Sequence, residues 1–118
     1  MIVLSETTDK IQVVLGVAVA TNECQCVASW RDITTTPRYE AGRSVASTNS
    51  TTDVDLIAAP IASTQRMIDY ISIYNADTAG VTVTVKYDAN GTDYILAKQA
   101  LATGETLVYT SEAGFFVL

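Results

Sequence analysis

The stretch Val81-Thr82-Val83-Thr84-Val85-Lys86-Tyr87 limits what this chain can fold into more than any other. Val81, Val83, Val85 and Tyr87 fall on one side of a period-two ribbon, and Thr82, Thr84 and Lys86 fall on the other. This is the pattern of a strand with one buried and one wet face. The return run is Tyr94-Ile95-Leu96-Ala97-Lys98. Between the two lies Asp88-Ala89-Asn90-Gly91-Thr92, whose Asn-Gly pair tolerates positive φ and turns an antiparallel hairpin.

Around this hairpin the rest of the chain also reads as strands. Lys10-Ile11-Gln12-Val13-Val14-Leu15 is rich in β-branched residues, and Gly16 marks a bend before a second short run, Val17-Ala18-Val19-Ala20. Cys24 to Asp32 forms a further strand with Cys24, Cys26, Ala28 and Trp30 on one face. Val54 to Ala59 is stopped by Pro60. Arg66 to Tyr74 carries Ile71 and Ile73 on one face and Tyr70 and Tyr74 on the other, which predicts a central strand covered on both sides. Thr106 to Thr110 and Phe115 to Leu118 close the chain. Strands recurring every ten to twelve residues with turn residues between them indicate a sandwich or jelly-roll, and no segment sustains a helical apolar period.

The totals agree with a packed domain. Across 118 residues, 48% are hydrophobic and 17% charged, with a net charge of −6. An acidic surface repels phosphate backbones and anionic lipid, so neither nucleic acid nor membrane is an expected partner. The longest apolar run, Val13 to Ala20, is too short to span a bilayer, and Met1-Ile2-Val3-Leu4 lacks the flanks of a secretion signal. Assembly in a cytoplasm is the expectation.

From Ile33 to Thr52 the composition turns polar and poor in large aliphatics, punctuated by Pro37 and Gly42. This run is expected to be a loop serving contact or flexibility. Arg31, Arg38 and Arg43 are three of the chain's seven basic residues and make the region locally cationic. The resulting layout is one β domain over residues 1–118: strands and an extended arm over 1–36, a polar loop over 37–53 and the sandwich body over 54–118. Trp30, Arg31, Arg38, Tyr39 and Arg43 are the candidate partner contacts, combining aromatic anchors with guanidinium groups.

Chemistry is hard to find. Without histidine the usual Ser-His and Cys-His nucleophile pairs cannot form. The carboxylate pairs Asp53/Asp55 and Asp88/Asp93 sit in turns or at strand ends, where solvated acids are the default. Asp88, Asn90 and Asp93 share a loop but lack the frame of a calcium site. Cys24 and Cys26 are too close in sequence for an unstrained bridge and read as reduced small hydrophobes. Neither a catalytic residue, a cofactor nor a metal is expected. Apolar runs at both ends, Met1 to Leu4 and Phe115 to Leu118, must be covered by the domain itself or by a neighbour.

A family resemblance carries the functional expectation. Thr7-Thr8-Asp9-Lys10-Ile11-Gln12-Val13-Val14, Ala28-Ser29-Trp30-Arg31-Asp32, Thr51-Thr52-Asp53-Val54, Ala59-Pro60 and Thr64-Gln65-Arg66 occur in that order. Ile71-Ser72-Ile73-Tyr74-Asn75, Leu101 to Tyr109 and Gly114-Phe115-Phe116-Val117-Leu118 follow. Together they resemble a family of small virion proteins encoded among the structural genes of tailed bacteriophages. The resemblance implies a non-catalytic virion component, foremost a capsid decoration (cement) protein that binds the major capsid protein and itself, with a trimer as one arrangement. A tail, fibre or connector component and a host-adhesion module are the alternatives. The family carries no residue list to transfer.

Overall fold

The computed structural model describes residues 1–35 and 38–118, and it is an all-β sandwich of two antiparallel sheets. Its strands are β1 (Ile2–Leu4), β2 (Asp9–Leu15), β3 (Gln25–Thr34), β4 (Tyr39–Ser47), β5 (Val54–Ile57), β6 (Thr64–Tyr74), β7 (Val81–Ala89), β8 (Thr92–Leu101), β9 (Thr106–Thr110) and β10 (Gly114–Val117). The six-stranded sheet runs β10-β9-β6-β3-β4, with β1 also paired to β6, and the four-stranded sheet runs β5-β2-β7-β8.

The β7–β8 hairpin forms as its alternation requires. Val81, Val83 and Val85 are buried, and Asn90 and Gly91 turn the chain with φ of 53° and 89°. The register shifts between Val85 and Lys86 because β8 carries one extra residue, Leu96, opposite them. Ile11, Val13, Leu15, Ile57 and Leu101 extend this apolar layer, and Leu4, Cys26, Ala28, Ile68, Ile71, Ile73 and Leu107 meet it from the other sheet. Burying each Leu or Ile side chain contributes about 1.5–3 kcal/mol against chain entropy.

Four expectations change. The polar run assigned to a loop over 37–53 contains β4, paired to β3 without a break from Gln25↔Ser47 to Ile33↔Tyr39. An edge strand needs few large aliphatics, and here small residues are required: a Cβ on Gly42 would lie 2.7 Å from Trp30 Nε1. The N-terminal third, expected as strands with an arm, supplies β1, β2 and β3, each hydrogen-bonded into a sheet. Val17 to Ala20 forms no strand; it belongs to a connection held by side chains. Finally, β6 is central, between β3 and β9, but only its Ile68, Ile71 and Ile73 face is covered; Tyr70 and Tyr74 remain 38% and 40% exposed.

The connections at one end of the sandwich are fastened by the buried Asp77 carboxylate, the buried Asn75 amide and the half-buried Glu23. The Asp77 carboxylate accepts the N–H groups of Ala20, Thr21, Asn22 and Thr78 at 2.8–3.1 Å. The Ala20 N–H leads in holding that carboxyl down to about 2, with burial opposing and the other N–H groups adding to it. Asn75 donates to the carbonyls of Ala79 and Leu101, and Glu23 accepts from Thr48 Oγ1, Ser50 N and Ser50 Oγ.

Candidate docking face

The two sheets turn different faces to solvent. On the six-stranded sheet, register places Phe116, Val108, Ser72, Val27 and Val45 directly opposite one another, one residue per strand. Tyr70 and Tyr74 flank this row on β6. Val27, Val45 and Phe116 are 40%, 64% and 36% exposed, whereas Val108 is covered. A largely apolar row bordered by tyrosines has the composition of an interface centre, where aromatic groups and arginine are enriched and lysine is depleted.

The sequence-predicted contacts divide across this geometry. Tyr39, Arg43 and Arg31 lie on the same face as the apolar row, because the pleat puts them in step with Val45 and Val27. Arg38 is exposed just before β4 and pairs with Glu40. Trp30 points the other way, into the rim of the core. Arg66 stacks 4.6 Å from the centre of its ring, and a two-pronged pair with Asp32, at 2.9 and 3.1 Å, holds Arg66 there. The cationic patch is also smaller than expected. Asp69 neutralises Arg31 at 2.9 Å and Glu40 neutralises Arg38, which leaves Arg43 as the one arginine without an ion pair among the described residues. Val27, Val45, Tyr70, Tyr74 and Phe116 were not singled out from sequence. The signal for the tyrosines was their alternation with Ile71 and Ile73.

The outward face of the four-stranded sheet carries a set of matched polar groups, with Ile95 exposed at its β8 edge. Lys86 Nζ sits 2.8 Å from Asp53 and 2.9 Å from Asp93. Lys10 reaches Asp55 and Asp88, and Gln12 Nε2 donates to Asp55 at 2.8 Å. Both carboxylate pairs noted in the sequence are thus split between two clusters, Asp53 and Asp93 around Lys86 and Asp55 and Asp88 around Lys10, each acid beside an ammonium. Burial lowers the Lys86 pKa, but the hydrogen bonds to Asp53 and Asp93 outweigh it and leave the ammonium above its ordinary value. No carboxylate here stands free in a cleft where it could act as an acid or base.

Cys24 and Cys26 are free and buried. Burial first, then the neighbouring Cys24, pushes the Cys26 thiol up to about 12, and burial also raises Cys24 against a hydrogen bond from Thr48. Thiols so placed are poor nucleophiles. No group of metal-ligating side chains occurs among the described residues. The surface depressions are open and shallow; one of about 620 Å³ is lined by Gly16, Val17, Lys98, Ala100 and Glu105. Another, of about 510 Å³, is lined by Thr7, Thr8, Lys10, Asp55, Asp88 and Asn90, with Lys10 paired to both acids.

Fold and face together describe a β-sandwich with an exposed apolar row on one of its two sheets. No protein-family model, curated protein or solved structure matches the chain.

Proposed function

We propose that this chain is a structural protein of a tailed-bacteriophage virion, foremost a capsid decoration protein that binds the outside of the assembled head and stabilises it by bridging capsomers. The observation that carries a docking role is the exposed row Phe116–Val108–Ser72–Val27–Val45 with Tyr70 and Tyr74 beside it, on a sheet face that the chain leaves uncovered. A surface of this composition gains from burial against a partner. The phage assignment comes from the sequence resemblance.

Docking at seams between capsomers would add buried area where a pressurised shell separates. In this reading the major capsid protein is the partner, assembly takes place in the bacterial host cytoplasm, and the mature location is the virion. A tail, fibre or connector position and a host-adhesion role share the same face and differ in what lies against it. The deciding experiment is the number and position of copies in purified particles, by quantitative gel and electron microscopy. Hundreds of copies on the head surface are expected. A dozen or fewer at the tail, or no copies at all, would overturn the decoration role.

A further inference from the structure

Each sheet has one short edge and one long one. β5 has four residues, whereas β8 has ten and β4 nine. Long open edges invite pairing and are usually blunted by bulges, prolines or charges. β8 has such a device, the extra residue at Leu96 that breaks its register. β4 has neither a bulge nor a proline: its register with β3 is unbroken, and its charges are one of each sign, Glu40 and Arg43.

The hydrogen-bond phase shows what that edge exposes. Thr34 N–H donates to the Arg38 carbonyl and Thr48 N–H to the Cys24 carbonyl, at the two ends of one continuous antiparallel register. Alternation between these ends directs the even-numbered residues of β4 toward β3. The N–H and C=O groups of Tyr39, Ala41, Arg43, Val45 and Ser47 therefore point to the open side. Tyr39 and Val45 are also among the most exposed large apolar side chains of any strand, at 62% and 64%.

We propose that β4 is a self-recognition edge, at which two copies of the chain pair antiparallel about a two-fold axis at Gly42. In that register Tyr39 of each copy faces Val45 of the other, Ala41 faces Arg43, Glu40 faces Ser44, and no like charges stand opposite. An aromatic side chain against a β-branched one is a favourable cross-strand pair. The neighbouring registers are worse. Centring on Arg43 sets two guanidinium groups opposite each other, and centring on Ala41 sets Tyr39 against Arg43 and carries Val45 past the end of the strand.

The Gly42 register also joins two apolar rows. Val27 lies opposite Val45, and Ile33 opposite Tyr39, within each chain. Pairing makes Val27, Val45, then Tyr39 and Ile33 of the second copy, a single line across the seam, and these four are 40%, 64%, 62% and 38% exposed in the isolated chain. The contact is isologous, so it closes at two copies and does not propagate. It stands independently of the virion reading.

The test is the mass of the purified full chain by light scattering and sedimentation, at about 100 µM so that a contact smaller than the usual ~1,600 Å² is populated. A dimer is expected. Ala41→Pro removes an N–H that points to the open edge and leaves the β3 pairing intact, and Val45→Lys places a charge in the seam without touching the backbone. Each should raise the dimer dissociation constant at least about tenfold. Ile95→Lys on the bulged β8 edge should leave it unchanged. If Ala41→Pro loses its β circular-dichroism signal, Val45→Lys decides. A monomeric wild type, a trimer, or a dimer insensitive to Val45→Lys would overturn the proposal.

Discussion

The two outward faces of this sandwich are built from the same kind of strand and satisfied in opposite ways. On the four-stranded sheet, the lysines at positions 10 and 86 are each held by acids from neighbouring strands and turns, and Gln12 completes the set. On the six-stranded sheet, Val27, Val45, Tyr70, Tyr74 and Phe116 point outward and remain partly exposed. The polar groups of the first face are matched by neighbours within the chain; the apolar groups of the second are the ones the proposed docking role would cover. The same alternation produces both faces, so what separates them is whether each outward position finds a match within the chain.

The comparison breaks most decisively at the apolar row. Val27→Asp combined with Tyr70→Ala should abolish particle binding, a loss of at least about a hundredfold, while thermal stability stays close to wild type, since exposed substitutions typically move it by within about 0.5 kcal/mol each. Co-sedimentation with particles and a thermal melt measure the two effects. A large loss of stability with binding retained would reverse the roles assigned to the faces.

Next in size is Lys86→Met, which leaves Asp53 and Asp93 without their shared cation and should cost roughly 1–3 kcal/mol in urea unfolding, with binding unaffected. The sign of its pH dependence is set by the raised pKa. The folded-state ammonium lies above its unfolded value, so its contribution is full below about pH 10 and fades as pH rises through the folded value. The variant should lose that alkaline limb.

Asp77 tests the loop end, which belongs to neither face. Its carboxyl is held near 2 against an ordinary 3.8, so its contribution is present above about pH 4 and is lost as pH falls toward 2. Asp77→Asn should flatten acid unfolding in that window and raise amide exchange at Ala20, Thr21 and Asn22. Unchanged exchange there would contradict the fastening role. The smallest effect is expected at Tyr109, whose hydroxyl is buried with no hydrogen-bond partner among the described residues, and whose ring packs 5.0 Å from Phe115. Tyr109→Phe should be neutral or stabilise by up to about 1 kcal/mol in a thermal melt.

How far these features could be read from sequence follows from how local their causes are. The β7–β8 hairpin was legible because alternation and the Asn90-Gly91 turn both lie within adjacent residues. β4 was not: large apolar residues stand only at Tyr39 and Val45, too far apart to show alternation, and the reason Gly42 must be small is Trp30, brought alongside only by pairing with β3. Tyr70 and Tyr74 were visible, but a large side chain on each face of a strand reads the same whether its cover comes from the chain or from a partner. The pairing of Asp53 with Lys86 depends on β5 and β7 flanking β2 in one sheet, which no local window contains. Arg31 and Arg43 were candidates by residue type alone, and the Asp69 that neutralises Arg31 comes from β6, beyond the reach of any local window.

Hydroxyl-radical footprinting of the chain, free and bound to purified particles, tests the central claim most directly. Tyr70, Tyr74 and Phe116 should lose reactivity on binding, and Tyr94 and Ile95, exposed on β8 of the other sheet, should keep theirs. Protection of Tyr94 and Ile95 with Tyr70, Tyr74 and Phe116 unchanged would contradict the assignment of the six-stranded face as the docking surface.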